Sequence, residues 1–172
     1  MGKNKKSTLP PSNPPSSRPI DVAAALIFRD GKLLITQRLA GSHLGGLWEF
    51  PGGKREPGES FERCLVREIR EELGAEISVR RRFESVTHAY PGKTVHLEFF
   101  TCRLVSGEPQ AIGCAGLKWV TAAELKDHAF PPADARLLER LRSAAGFRQS
   151  KTVNAAPKNK SAAANRRGKA SP

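Results

Sequence analysis

The sequence predicts a single α/β domain carried between two basic arms. Three observations lead there. Apolar β-like runs alternate with helix-period segments from Ile20 to Ala145, with no internal repeat. The formal charge of +12 over 172 residues is uneven: residues 1–19 carry Lys3, Lys5, Lys6 and Arg18 and no acid, and residues 147–172 carry seven Lys or Arg and no acid. The central 127 residues hold 18 basic and 17 acidic side chains, a nearly neutral segment long enough to bury a core. Residues 20–146 are therefore the expected domain, and 1–19 and 147–172 are expected to be disordered arms.

Taken in order, Asp21 to Phe28 reads as an apolar strand, Asp30-Gly31 as a hairpin turn and Leu33 to Gln37 as the returning strand. Residues 39–46 form a glycine-containing loop. Leu47 to Phe50 is a short strand stopped by Pro51-Gly52-Gly53, and a loop runs on to Ser60. A helix follows over 60–73, with Gly74 as its left-handed cap. Strands are expected at about 76–88 and 94–105, joined at Pro91-Gly92, and at about 115–120. Thr121 and Glu124 make a capping box for a short helix. Phe130-Pro131-Pro132 breaks the chain, and a last helix over 133–145 places Leu137, Leu138 and Leu141 on one side.

Composition removes several function classes. Cys64, Cys102 and Cys114 are scattered and odd in number, which suits free thiols in a reducing cytoplasm. The four histidines do not cluster, so zinc is not indicated. The longest wholly apolar run, Val22 to Phe28, is too short for a bilayer, and the N-terminus has no secretory signal pattern. The prolines between Pro10 and Pro19 oppose the amphipathic helix of a transit peptide. Rossmann and P-loop glycine patterns are absent.

The helix over 60–73 carries the chemistry. At about 100° per residue, Glu68, Glu71 and Glu72 fall within one arc of roughly 100°. Leu65, Val66, Ile69 and Leu73 form the core stripe beside them, and Arg63 and Arg70 face water. Like charges so placed repel by ~0.2–0.5 kcal/mol per pair even on an exposed helix. The cluster by itself reads either as a surface patch or as an oxygen-ligand site for magnesium, with manganese as the alternative ion.

The preceding loop shifts that balance. The string runs Gly53, five residues, Glu59, seven residues, then Arg67-Glu68-Ile69-Arg70-Glu71-Glu72-Leu73-Gly74-Ala75. It matches the Nudix box, GX5EX7REUXEEXGU with U aliphatic, at every specified position once Ala75 is allowed at the last U. The segment resembles the Nudix hydrolases. The resemblance implies the Nudix fold, a mixed β-sheet sandwiched between helices. It also implies metal-dependent attack of water on a nucleoside diphosphate linkage. By position, Glu68, Glu71 and Glu72 would hold the metal, joined by the Gly52 carbonyl. Glu68 is alternatively the base, Arg67 would hold Glu68, and Glu59 would brace the loop.

The flanks resemble the MutT group, whose substrates are oxidised nucleoside triphosphates such as 8-oxo-dGTP. Leu47-Trp48-Glu49-Phe50-Pro51-Gly52-Gly53-Lys54 matches the approach to the box there. Arg38 and His43 match substrate contacts, and Phe130-Pro131-Pro132-Ala133-Asp134 matches a base-contacting element. Glu49, Phe50, Pro51, Gly52, Lys54 and Asp134 thus join Arg38 and His43 as expected substrate contacts. Four of them have an ordinary alternative: a strand-end charge for Arg38, a loop residue for His43, plain core for Phe50, a helix-dipole acid for Asp134. An ionised Asp134 would accept from N7–H of 8-oxoguanine or from the exocyclic amine of cytosine or adenine. One position departs from the pattern. Many members have a Glu where this chain has Gly113-Cys114-Ala115; if that Glu aids metal binding or catalysis, this chain lacks it or uses Glu98 or Glu108 instead.

The resemblance therefore implies a magnesium-dependent diphosphatase that sanitises the nucleotide pool of oxidised (d)NTPs. The alternative is a CTP or modified-pyrimidine pyrophosphohydrolase. An alternative of another class is a catalytically weak nucleotide- or RNA-binding protein. A cytoplasmic monomer is expected, with no membrane partner and weak nucleic-acid contact by the arms.

Overall fold

The computed structural model describes residues 18–143. The expected arms therefore lie outside the described residues but for Arg18 and Pro19, as do residues 144–146. Among the described residues, seven strands and two α-helices run β1 (Ile20–Arg29), β2 (Lys32–Gln37), β3 (Trp48–Glu49), β4 (Gly52–Lys54), α1 (Phe61–Leu73), β5 (Glu76–Tyr90), β6 (Lys93–Ser106), β7 (Gly116–Val120) and α2 (Ala135–Arg142).

The seven strands form a mixed sheet in the order β3-β2-β1-β6-β5, with β7 on β2. β1 is the organising strand. Its Ile20–Ile27 segment pairs parallel with β6, and its last two residues pair with β2 across the turn at Asp30 (φ 48°) and Gly31 (φ 77°). Positive φ at both positions is what a two-residue hairpin turn needs. The sheet then buries both faces. Ala23, Ala25 and Ile27 pack with Leu65, Ile69 and Leu73 of α1. Ala24 and Leu26 pack with Leu137, Leu138 and Leu141 of α2. The period-2 alternation of β1 thus serves two helices, one per face.

Local signals set α1. Ser60 Oγ accepts from the Arg63 N–H (3.2 Å), and Gly74 (φ 62°) closes the helix with its N–H on the Arg70 carbonyl (3.0 Å). The Thr121–Glu124 capping box forms with both reciprocal bonds, but it caps a 3-10 turn, Glu124–Asp127.

Three expectations need correction. Gly52–Lys54 is not flexible loop; it is a strand paired antiparallel with Val22–Ala24. It fills the edge of β1 that β2 leaves open, and tertiary pairing there overrides the glycines' weak strand preference. The last helix begins at Ala135, because Pro132–Asp134 takes a 3-10 turn behind Pro131. The β5–β6 hairpin zips to its turn, Tyr90 facing Lys93 across Pro91 and Gly92 (φ 81°), so both strands exceed their expected lengths.

Candidate active site

One cavity of about 460 Å³ opens where β1, β4, α1, the 38–44 loop, the β5–β6 hairpin and the 131–134 turn meet. Arg38, His43, Glu49, Phe50, Gly52, Lys54, Glu68, Glu72 and Asp134 all line it. Pro51 is buried beside it, its carbonyl accepting from the Ala25 N–H (2.8 Å).

The acid end is built on α1. Glu68 and Glu72 reach the cavity, whereas Glu71 is 59% exposed and bonded to Arg67 (3.3 Å). Among the described residues no three His, Cys, Asp or Glu stand together as a ready-made metal cage. The expected helical arc is present, but only Glu68 and Glu72 line the cavity, and Glu71 stands at the solvent side of the arc. Arg67 is the hub. Its guanidinium meets Glu59 through two bonds of 3.0 Å and donates to Glu68 (2.8 Å) and to the Lys54 carbonyl (3.2 Å). Arg67 holds the Glu59 carboxyl down to about 2. The Glu68 carboxyl fills space that any side chain on residue 53 would occupy, since a Cβ on Gly53 would lie 2.3 Å from its Cδ.

Glu72 is driven the other way. Burial first, then the charges of Glu68 and Glu49, push its carboxyl up to about 7. Glu68 has Arg67 and Glu49 has Arg38, but among the described residues no cation is bonded to Glu72. An all-oxygen donor set with surplus negative charge fits a hard divalent cation.

The other end is polar and aromatic. Arg38 pairs with Glu49 and donates from Nε to the His43 carbonyl (2.8 Å), so it is more than a strand-end charge. Phe50, 4% exposed, stacks on Phe130 at 5.4 Å and meets Phe99 edge-on at 6.2 Å. Phe50 is thus both core and cavity wall. Asp134, 4% exposed, precedes α2 but makes no side-chain cap bond. Burial, with Glu49 adding and Arg38 opposing, pushes its carboxyl up to about 7. The expected purely accepting carboxylate is therefore a group that near neutrality also exists protonated, as a donor.

Some wall residues escaped sequence reasoning. Tyr90 and Lys93, a cross-strand pair at the β5–β6 turn, line the cavity, and the His43 ring meets Tyr90 edge-on at 5.6 Å. An aromatic and a cation flanking a two-residue turn were the available signal. Val95, Leu97 and Phe99 line the same side of β6. Glu98 points to the opposite face, bonded to Arg82 and Ser85, and Glu108 pairs with Arg29 at the surface. Neither lines the cavity, so neither replaces the missing Glu. At that place Gly113 packs its backbone on Glu72, donating its N–H to the Glu72 carbonyl (3.0 Å).

Comparison with known proteins agrees with this architecture. A family model described as NUDIX domain matches residues 22–140. The chain is similar to the CTP pyrophosphohydrolase of Escherichia coli (strain K12), 44% identical over 120 residues, covering 70% of this chain and 89% of that protein. It is similar to the 8-oxo-dGTP diphosphatase of Haemophilus influenzae, 38% identical over 125 residues, covering 71% and 90%. The solved structure of the Escherichia coli ORF135 protein matches with a TM-score of 0.64 at 39% identity, covering 81% of this chain and 95% of that one.

Proposed function

From the premise that the chain belongs to the NUDIX domain family and is a Nudix hydrolase, we propose that it hydrolyses oxidised (d)NTPs such as 8-oxo-dGTP to a nucleoside monophosphate and pyrophosphate. One observation carries this reading: a single cavity joins the acid face of α1 to the buried Asp134. Phosphates belong at the first end, with Lys54 beside them, and the base at the second, against Phe50.

Glu68 and Glu72 would hold magnesium or manganese, with Glu71 and the Gly52 carbonyl completing the set. The ion, when bound, neutralises phosphate oxygens and lowers the pKa of a water. Arg67 orients Glu68 while Glu59 keeps Arg67 from collapsing onto the acids. Arg38, Lys54 and Lys93 supply positive charge along the triphosphate. Water adds to phosphorus, the bridging oxygen leaves with pyrophosphate, and the water's proton passes to a cavity carboxylate.

Ionised Asp134 accepts from N7–H of 8-oxoguanine, where guanine has only a lone pair. A buried mismatch of that kind costs ~1–3 kcal/mol, about 5–150-fold in discrimination. A second reading, CTP or modified-pyrimidine hydrolysis, is favoured by the 44% identity to a protein of that name, and Asp134 would then accept from the cytosine amine. Pyrophosphate release from 8-oxo-dGTP, dGTP, CTP and 5-substituted dCTP, with and without magnesium, separates the two. Faster cleavage of 8-oxo-dGTP than of dGTP is expected; equal rates with a preference for 5-substituted dCTP would hand the assignment to the pyrimidine reading.

A further inference from the structure

The loop from β4 to α1 is clipped by one side chain. The Arg55 backbone N–H bonds the Asp21 carbonyl (2.9 Å), and its guanidinium lies on the Asp21 carboxylate (Nε to Oδ2, 3.2 Å). The same guanidinium donates from Nη1 to the Glu59 carbonyl (2.8 Å), at the loop's far end. It also lies 5.0 Å from the Phe61 ring, at the first turn of α1. β1, the loop and the helix start thus meet on Arg55.

Asp21 is itself held from behind. His96 on β6 places Nδ1 3.0 Å from Asp21 Oδ1, and its ring meets Phe61 edge-on at 5.9 Å. Its Nε2 lies 3.2 Å from both Ser85 Oγ and Glu98 Oε1. Ser85, His96 and Asp21 have the order of a nucleophile, base and orienting acid. Ser85, however, donates its hydrogen bond to Glu98 (3.1 Å), so the serine is not activated and the histidine serves to seat Asp21.

We propose that Arg55, seated on Asp21 and backed by His96, is a positioning residue for the cavity carboxylate Glu68. This rests on the metal-holding role given to Glu68 above. The link is Arg67. With the loop clipped, Glu59 engages Nε and Nη2 of Arg67, and only Nη1 meets Glu68 and Glu71. Apart from Arg67, the Glu59 carboxylate is held by the Glu56 N–H (3.1 Å to Oε2), which belongs to the same loop; with the clip removed the loop swings away with Glu59, and the whole guanidinium turns onto the acids. Arg67 then competes with a cation for the same oxygens. Outer partners of metal ligands typically change affinity by about 10–100-fold.

The test uses the full chain and Mn2+ alone, followed by electron paramagnetic resonance without nucleotide. Arg55→Ala should raise the Mn2+ dissociation constant about tenfold or more, and Asp21→Ala should act in the same direction. The metal-free thermal midpoint should stay within a few degrees of wild type. The turnover lost at low metal should return with excess metal, at unchanged nucleotide KM; a merely structural role would not give that rescue. Wild-type Mn2+ affinity in folded Arg55→Ala overturns the proposal. Should that variant not fold, Arg55→Lys decides, because one ammonium cannot serve Asp21 and the Glu59 carbonyl together: weakened Mn2+ binding supports the clip and unchanged binding overturns it. A wild-type protein that binds no Mn2+ overturns the metal role of Glu68 itself, and this proposal with it.

Discussion

Burial holds the Asp134 carboxyl at about 7 instead of 3.8, with Glu49 adding to the rise and Arg38 opposing it. An acid whose folded pKa is raised binds its proton more tightly in the native state. Its favourable contribution is complete below about pH 4 and is lost as pH rises through about 7, by up to ~1.4 kcal/mol per unit. Asn at this position does not titrate. Thermal unfolding of wild type and Asp134→Asn should therefore show a difference that moves in the variant's favour between pH 5 and pH 8. A constant difference across that range would remove the buried-acid account. Glu72 is raised in the same way, by burial and by Glu68 and Glu49, so wild type carries two such losses and only the comparison isolates Asp134. For Glu72 the decisive variant is Glu72→Gln, which keeps shape and removes charge. It should lower metal-dependent pyrophosphate release by about 100-fold or more, and unchanged release would refute its role.

Two adjacent glycines in β4 make opposite predictions, because they touch different things. A Cβ on Gly52 would lie 2.1 Å from the Ala23 carbonyl oxygen, and Gly52 has φ 149°, outside the range of ordinary residues. Backbone cannot yield there without breaking the β1–β4 pairing, so Gly52→Ala should destabilise the fold by ~2 kcal/mol or more. A Cβ on Gly53 meets only the far end of Glu68. That carboxyl can swing aside. Gly53→Ala should fold but lose catalytic rate about tenfold or more, as a displaced first ligand would. Chemical denaturation and turnover, measured on both variants, check the pair: equal stability losses would show that β4 does not separate the two functions.

At the scale of the molecule, the sheet closes both cores and the cavity between Ile20 and Arg142, and the family match spans 22–140. The described residues of the cavity wall lie between Val22 and Asp134. Removing 1–17 and 147–172 should leave kcat and KM within about twofold of wild type at moderate salt. The arms' acid-free runs of Lys and Arg give them any nucleic-acid contact, so that contact should weaken steeply with salt and vanish with the arms. A catalytic loss of tenfold on truncation would place an arm in the site. None of the described helices is long and apolar enough to cross a membrane.

By itself the sequence determined what depends on short-range rules. The 3.6-residue period put Glu68, Glu71 and Glu72 on one arc, Ser60 and Gly74 marked the ends of α1, and Asp30-Gly31 and Pro91-Gly92 marked the hairpins. The box string carried the family on its own. What only the tertiary structure decided was convergence between distant segments. Glu71 stayed on the exposed side while Glu68 and Glu72 lined the cavity, Gly52–Lys54 became a strand because β1 had an open edge, and Tyr90 and Lys93 entered the wall because β5 and β6 zip to their turn. The protonation of Asp134 belongs here too, since burial is a property of everything packed around it. The clip at Arg55 joins residues 21, 55, 59 and 96, and no local spacing could have shown it. Periodicity and caps act within one turn or one strand, whereas burial, charge repulsion and ion-pair choice are settled only when the chain has closed.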